Sequence, residues 1–188
     1  MANGKVIGSE EERKICKRFS KWMTGSERPY QLWRTSNSGG TSTVIKENIH
    51  MTGDITAITP EARFFTDLFS IEIKRGYQDA EAFKHLKHNK STEIEDFWSQ
   101  CNKDAVRAHK YPLLVFNRKG FPTVVGFSRT IEMMFPTSSS LCYRLKCVSL
   151  MFPYKDGQRY LPDLYFYNFE DFFSMIDVET MSRLSKKE

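Results

Sequence analysis

The residues that decide the fold are Phe69-Ser70-Ile71-Glu72-Ile73-Lys74-Arg75. Apolar and polar side chains alternate along them, the period of a β-strand. Phe69, Ile71 and Ile73 turn to one face, and Ser70, Glu72 and Lys74 to the other. A carboxylate and an ammonium therefore stand two residues apart on one strand face. Upstream, Gly53–Thr59 (GDITAIT) reads as a second strand, and PEARFFTDL joins the two. If the two strands pair as a hairpin, Asp54 approaches Glu72 and Lys74. Two carboxylates and one backbone carbonyl are hard oxygen donors suited to Mg2+, with Lys74 as a positive charge beside them. A cross-strand salt bridge uses the same residue types, and spacing alone does not separate the two readings.

On the N-terminal side, Ser9 and Glu12 have the spacing of a capping box, predicting a helix from Ser9 to about Met23, ended by Thr24-Gly25. Ile15, Cys16, Phe19, Trp22 and Met23 form its apolar stripe, while Lys14, Lys17, Arg18 and Lys21 form a basic one. That basic stripe suits either a solvated surface or a DNA backbone. Residues 35–43 are small and polar and read as a loop. On the C-terminal side, residues 76–92 are polar and irregular. A helix capped by Ser91 or Thr92 follows, to about Lys110, with Ile94, Phe97, Trp98, Cys101, Ala105 and Ala108 as its apolar stripe. Gln100, Lys103, Arg107 and Lys110 lie on another face of it. Tyr111–Asn117 is a buried-type strand, Gly120 a turn, and residues 122–127 an antiparallel return. Leu141–Met151 and Leu164–Tyr167 add strand signals. Phe169, Phe172, Phe173 and Ile176 mark a last amphipathic helix. The order αββαββ(β)α predicts one α/β (α+β) domain around a central mixed sheet.

The 188-residue chain is 40% hydrophobic and 27% charged, with a net charge of +5. The charge is segregated: residues 1–50 carry +4, 51–100 carry −3, 101–150 carry +6 and 151–188 carry −2. Basic blocks on both sides of an acidic one suggest a polyanion partner. No apolar run approaches the roughly 20 residues of a membrane span, and the first residues have no apolar signal core. Cys16, Cys101, Cys142 and Cys147 form no CxxC pair, so a zinc finger is not expected and free thiols are. His85-x-x-His88 lies among lysines and suits a solvated face better than a metal site. The aromatic run from Tyr160 to Phe173 suits core packing better than base stacking. No nucleotide-binding glycine motif is present.

Asp54 with Glu72-Ile73-Lys74 resembles the PD-(D/E)xK nuclease motif, and its surroundings resemble the phage and archaeal branch related to Holliday junction resolvases. The resemblance runs over about residues 9–117. It includes Glu12-Arg13 on the first helix, Trp33-Arg34-Thr35 with Ser38-Gly39-Gly40, Gly53-Asp54, Ile71–Lys74, Trp98-Ser99-Gln100 and Pro112–Phe116. Gly53 stands where the motif name has proline, and the last 70 or so residues carry none of the motifs of this resemblance. The resemblance implies a restriction-endonuclease-like fold with a core at about 9–127 and residues 128–188 elaborating the same domain. It also implies a Mg2+-dependent deoxyribonuclease, with Mn2+ as substitute, that leaves a 5′-phosphate and a 3′-hydroxyl.

In that reading Asp54, Glu72 and the Ile73 carbonyl bind the metal, and Glu12 completes the shell if it is not simply a cap. Lys74 orients the attacking water. Gln100 positions a phosphate or Lys74, or is an ordinary exposed helix residue. Arg34, Ser38, Gly39, Gly40, Lys103 and Arg107 are the expected phosphate contacts. The expected substrate is branched DNA in the cytoplasm of a bacterial or phage-infected cell, with no membrane partner. Resolution of a junction by two symmetric cuts predicts a homodimer. The rivals are an exonuclease or nicking repair nuclease of the same fold, and a non-catalytic DNA-binding module.

Overall fold

A computed structural model describes residues 4–35, 52–75, 93–118, 120–135, 145–152, 154–155, 158–159 and 161–186. Helix α1 (Gly4–Thr24) is followed by the short strands β1 (Leu32–Arg34) and β2 (Ile55–Ala57). A 3-10 turn at Pro60–Ala62 runs into helix α2 (Arg63–Leu68), and this into strand β3 (Phe69–Arg75). Then come helix α3 (Glu93–Arg107), strands β4 (Tyr111–Asn117) and β5 (Val124–Ser128), and helix α4 (Arg129–Met134). The C-terminal part holds β6 (Cys147–Leu150), β7 (Tyr154–Lys155), β8 (Gln158–Arg159), β9 (Leu164–Asn168), α5 (Phe169–Met175) and α6 (Val178–Ser185).

Five strands form a mixed sheet in the order β3-β4-β5-β9-β6. β3 and β4 are parallel, with Glu72 opposite Leu114 and Lys74 opposite Phe116, and the remaining pairs are antiparallel. A parallel pair needs a crossover, and α3 supplies it. Helices flank this mixed sheet, as in a restriction-endonuclease-like fold. The side chains of β3 and β4 alternate between two cores. Ile71, Ile73, Leu113 and Val115 face α1, α2, α5 and α6, where Phe19, Phe65, Phe169 and Phe173 pack ring against ring. Leu114 and Phe116 face α3, with Ile94, Phe97, Trp98 and Cys101. Because both faces are covered, Glu72 is buried rather than set on a solvated surface. The C-terminal elements are tied in by Trp98 Nε1, which donates to the Pro162 carbonyl at 2.7 Å, and Trp22 Nε1, which donates to Ile176 at 2.8 Å.

The structure departs from the sequence expectation at four points. Helix α1 begins at Gly4, so Ser9 lies inside it rather than at its N-cap. The run after Gly53 does not form a hairpin with β3. Strand β2 pairs antiparallel with β1, and the run meets β3 at its start, where Gly53 forms a parallel bridge to Ile71 and Asp54 bonds to the Ile71 carbonyl and the Ile73 amide. The connector PEARFFTDL is largely helical, because Phe65 and Leu68 are spaced to bury one helix face. The single last helix is two, each with its own cap: Asn168 accepts from the amides of Glu170 and Asp171, and Asp177 from that of Thr180. The basic stripe of α1 is in part committed within the protein: Arg18 lies over the Phe169 ring and pairs with Glu170 at 2.7 Å, and Lys14 pairs with Glu10 at 2.7 Å. Ser38, Gly39, Gly40, His85, His88 and Cys142 lie outside the described residues.

Candidate active site

Asp54 is placed by backbone geometry. Its amide donates to the Ile71 carbonyl at 2.7 Å, and its own carbonyl accepts from the Thr35 amide at 2.8 Å. The residue before it, Gly53, has φ +84°, and a Cβ built there would lie 2.5 Å from the Ile71 carbonyl oxygen. Only glycine meets both conditions. Proline, with φ fixed near −65°, cannot stand here, which explains the departure from the motif name. The carboxylate then turns onto β3, where Oδ2 accepts from the Ile73 amide at 2.7 Å. In an extended strand the N–H and C=O of one residue leave the same edge, so the Ile73 carbonyl opens on the side where Asp54 lies.

Glu72 and Lys74 rise from β3 on the face covered by α3. Lys74 Nζ lies 2.6 Å from Glu72 Oε1, donates to Gln100 Oε1 at 3.2 Å, and sits 5.3 Å from the Phe97 ring centroid. The salt bridge weighed against a metal site in the sequence is therefore present, with Glu72 buried, Lys74 half-buried, and Asp54 and Gln100 beside them. Gln100 is exposed at its helix surface and meets Lys74 directly.

Glu12 and Arg34, both expected in the site, meet one another: Arg34 Nε donates to Glu12 Oε2 at 2.9 Å. The capping-box role of Glu12 is thereby replaced by an ion pair between α1 and β1. The preceding residue, Glu11, went unread in the sequence. Its side chain is 3% exposed, Oε2 lies 3.0 Å from Arg75 Nη1, and Oε1 accepts from the Asn117 side-chain amide. Arg75 and Asn117 are register partners at the ends of β3 and β4, so Glu11 pins α1 to the strand that carries Glu72 and Lys74. The acidic pair at 11–12 and the strand-end Arg75 are visible in the sequence, but their meeting is set by the helix phase and is not.

Burial, first, and then the negative charge of Glu72 push the Asp54 carboxyl up from 3.8 to about 7, with Glu12 adding to the rise and the Ile73 amide opposing it. Burial also raises Glu72, against the lowering effect of Lys74. Asp104, one turn beyond Gln100 on α3, adds to that rise and is a second residue unread in the sequence. A buried cluster of carboxylates that resist ionisation is the electrostatic setting a cation would relieve. Among the described residues no three Asp, Glu, His or Cys side chains form a group that could hold a metal ion by themselves. The donor set still fits a hard divalent cation, since Asp54, Glu72 and the Ile73 carbonyl are oxygen donors and Mg2+ keeps several waters of its own. The buried Thr35 hydroxyl has no hydrogen-bond partner, and it sits where the β1–β2 register brings it opposite Asp54.

Lys103 is exposed on α3, and Arg107 reaches Asp104 at 3.0 Å. Cys101 is buried against the Ser70 carbonyl, and burial pushes its thiol well above the usual range, so it is no nucleophile.

Asp54 thus stands on the edge of β3, with Glu72, Ile73 and Lys74 in the strand itself. Residues 3–183 match the family described as "phage putative PDDEXK endonuclease", and the chain belongs to that family. No curated protein and no solved structure matches the chain. Among the described residues no helix is long and apolar enough to cross a membrane.

Proposed function

We propose that the chain is a Mg2+-dependent DNA endonuclease, with Mn2+ able to substitute, that cuts branched DNA, and that residues 1–188 form one nuclease domain. The observation that carries this reading is the meeting of Asp54, through the Ile73 amide, with the strand that bears buried Glu72 and its partner Lys74. Asp54, Glu72 and the Ile73 carbonyl would hold the cation, with Glu12 beside them. When bound, the cation lowers the pKa of a water and offsets charge on the scissile phosphate. Lys74 orients the attacking water, and Gln100 fixes the direction of its ammonium group. Lys103, Arg107 and Arg34, with Ser38, Gly39 and Gly40, hold the DNA backbone. Branch selection rests on the resemblance to junction resolvases and on the lack of a base-reading motif. Two symmetric cuts on a junction call for a homodimer in the host cytoplasm.

The test is cleavage of four-way junction, fork, duplex and single-stranded DNA with Mg2+ or Mn2+, beside Asp54→Ala and Lys74→Ala. Junction cutting that both variants lose, and that weakens as salt rises, is the expected result. No cleavage of any substrate rejects the nuclease reading. Cutting unaffected by Lys74→Ala rejects the site assignment. Digestion of single strands from an end favours an exonuclease.

A further inference from the structure

We propose that the hairpin tip between β4 and β5 is a stacking site for an unpaired DNA base close to the cut, built from Phe121 and Arg118. This rests on the DNA-cleaving function proposed above. Phe121 is 62% exposed, although the sheet offers large aromatic residues ample core to enter. The turn holds it out: its amide donates to the Arg118 carbonyl at 3.1 Å, and Gly120 takes φ +83°. Arg118 places its guanidinium 4.9 Å from the Phe121 ring centroid. A ring with one guanidinium against it, raised from the surface, presents a π-face for a base and a cation for the neighbouring phosphate. A Phe–Arg contact also occurs as a mere surface pair, so position has to decide.

Position favours DNA. β3 and β4 are parallel, and Lys74 is the register partner of Phe116, which is also the partner of Val124. The tip therefore projects from the strand end next to Lys74. Phe121 lies three residues before Val124, which at roughly 3.3 Å per residue puts it about 10 Å past the Lys74 row. That is about three base steps of 3.4 Å. The turn also carries the charge of Arg118, within the +6 block of residues 101–150. An unpaired base is the favoured ligand over a paired one, because an isolated ring can stack only on a base face that is free.

The experiment measures binding to a fork with unpaired bases and to the fully paired duplex of the same sequence, in Mg2+, with Asp54→Ala to prevent cutting. The 188-residue chain is compared with and without Phe121→Ala or Phe121→Trp, and thermal melting checks the fold. A 2-aminopurine about three nucleotides from the cut reports stacking by loss of fluorescence. Phe121→Ala is expected to lower the fork-to-duplex affinity ratio about 5- to 150-fold, the range for stacking one base on a ring. It should also abolish the quenching, and Phe121→Trp should keep both. An unchanged ratio, or an equal loss on fork and duplex, overturns the stacking site while leaving the nuclease reading intact. Failure of the Asp54→Ala parent to bind any DNA overturns both.

Discussion

The carboxylate of Asp54 accepts the Ile73 amide hydrogen bond at 2.7 Å, so a side chain stands where a neighbouring strand would pair with β3. The contact satisfies an edge amide and fixes the direction of the carboxylate together. It also separates two roles that one substitution can test. Asp54→Asn keeps an oxygen to accept from Ile73 but removes the charge. On the proposed mechanism cleavage should fall about 100-fold or more, while the melting temperature holds or rises because a buried charge is gone. A large loss of stability with unchanged specific activity would reduce Asp54 to a structural cap. Melting and cleavage rates on the same preparation decide between them.

The raised carboxyls predict an unusual pH response of the metal-free protein. The Asp54 carboxyl moves from 3.8 to about 7 on folding, and Glu72 shifts in the same direction. Between those values the folded state holds more protons than the unfolded one, so this stability is present at low pH and is lost as pH rises toward 7. Asp177, whose carboxyl is held below its usual value by the Thr180 amide, works in the opposite sense. Asp54→Asn isolates the site contribution. The melting temperature of the parent, relative to that variant, should fall by at least about 4 °C from pH 4.5 to pH 7.5. Mg2+ should recover most of the loss at the higher pH. Parallel curves with no Mg2+ effect would show that the two carboxylates do not form a cation site.

β3 and β4 span the residues their patterns predict, β3 through its alternation and β4 because a strand buried on both sides writes its apolar character into adjacent residues. Asp54, Glu72 and Lys74 were legible as a group for the same reason: two lie on one strand and the third opens the preceding run. The route that joins them was not legible. A hairpin was the local solution, yet Gly53 instead makes a parallel bridge, and β2 pairs with β1 more than twenty residues earlier. Such non-local pairing depends on packing that alternation does not encode. Helix α1 shows the same limit from another side. Its apolar stripe was readable, but with its start moved to Gly4, Ser9 became an interior residue and Glu12 was freed to meet Arg34.

Gly53 makes a sharper prediction than any carboxylate. Alanine there must adopt φ +84° with its Cβ 2.5 Å from a backbone oxygen. The left-handed conformation alone costs about 1–2 kcal/mol, and the carbonyl of Ile71 cannot move without disturbing β3. Gly53→Ala should therefore lower stability by at least ~2 kcal/mol in urea unfolding. It should also reduce cleavage beyond the loss of folded protein, because Asp54 is displaced. Wild-type stability in this variant would mean that the backbone at 53 is free to take another course.

Neighbouring glutamates on α1 should divide stability from activity. Glu11 is 2% exposed and pairs with Arg75, while Glu12 pairs with Arg34 and its charge acts on Asp54 and Glu72. Removing one partner of a buried ion pair costs about 3–5 kcal/mol. Arg75 is about one-third exposed, with a side-chain value of 32%, so water partly compensates and about 2–3 kcal/mol is the expected loss for Glu11→Ala. Asn117 also loses its acceptor. Glu12→Gln keeps the size of the side chain and an oxygen for Arg34, and should cost under about 1 kcal/mol. Its effect should fall on the reaction: the Mg2+ concentration for half-maximal cleavage rises several-fold, since a charge that acts on both Asp54 and Glu72 is gone. Urea unfolding and a Mg2+ titration of cleavage on the two variants give four numbers. If Glu11→Ala instead carried the Mg2+ effect and kept wild-type stability, the two glutamates would have exchanged roles, and Glu11 would belong to the metal site.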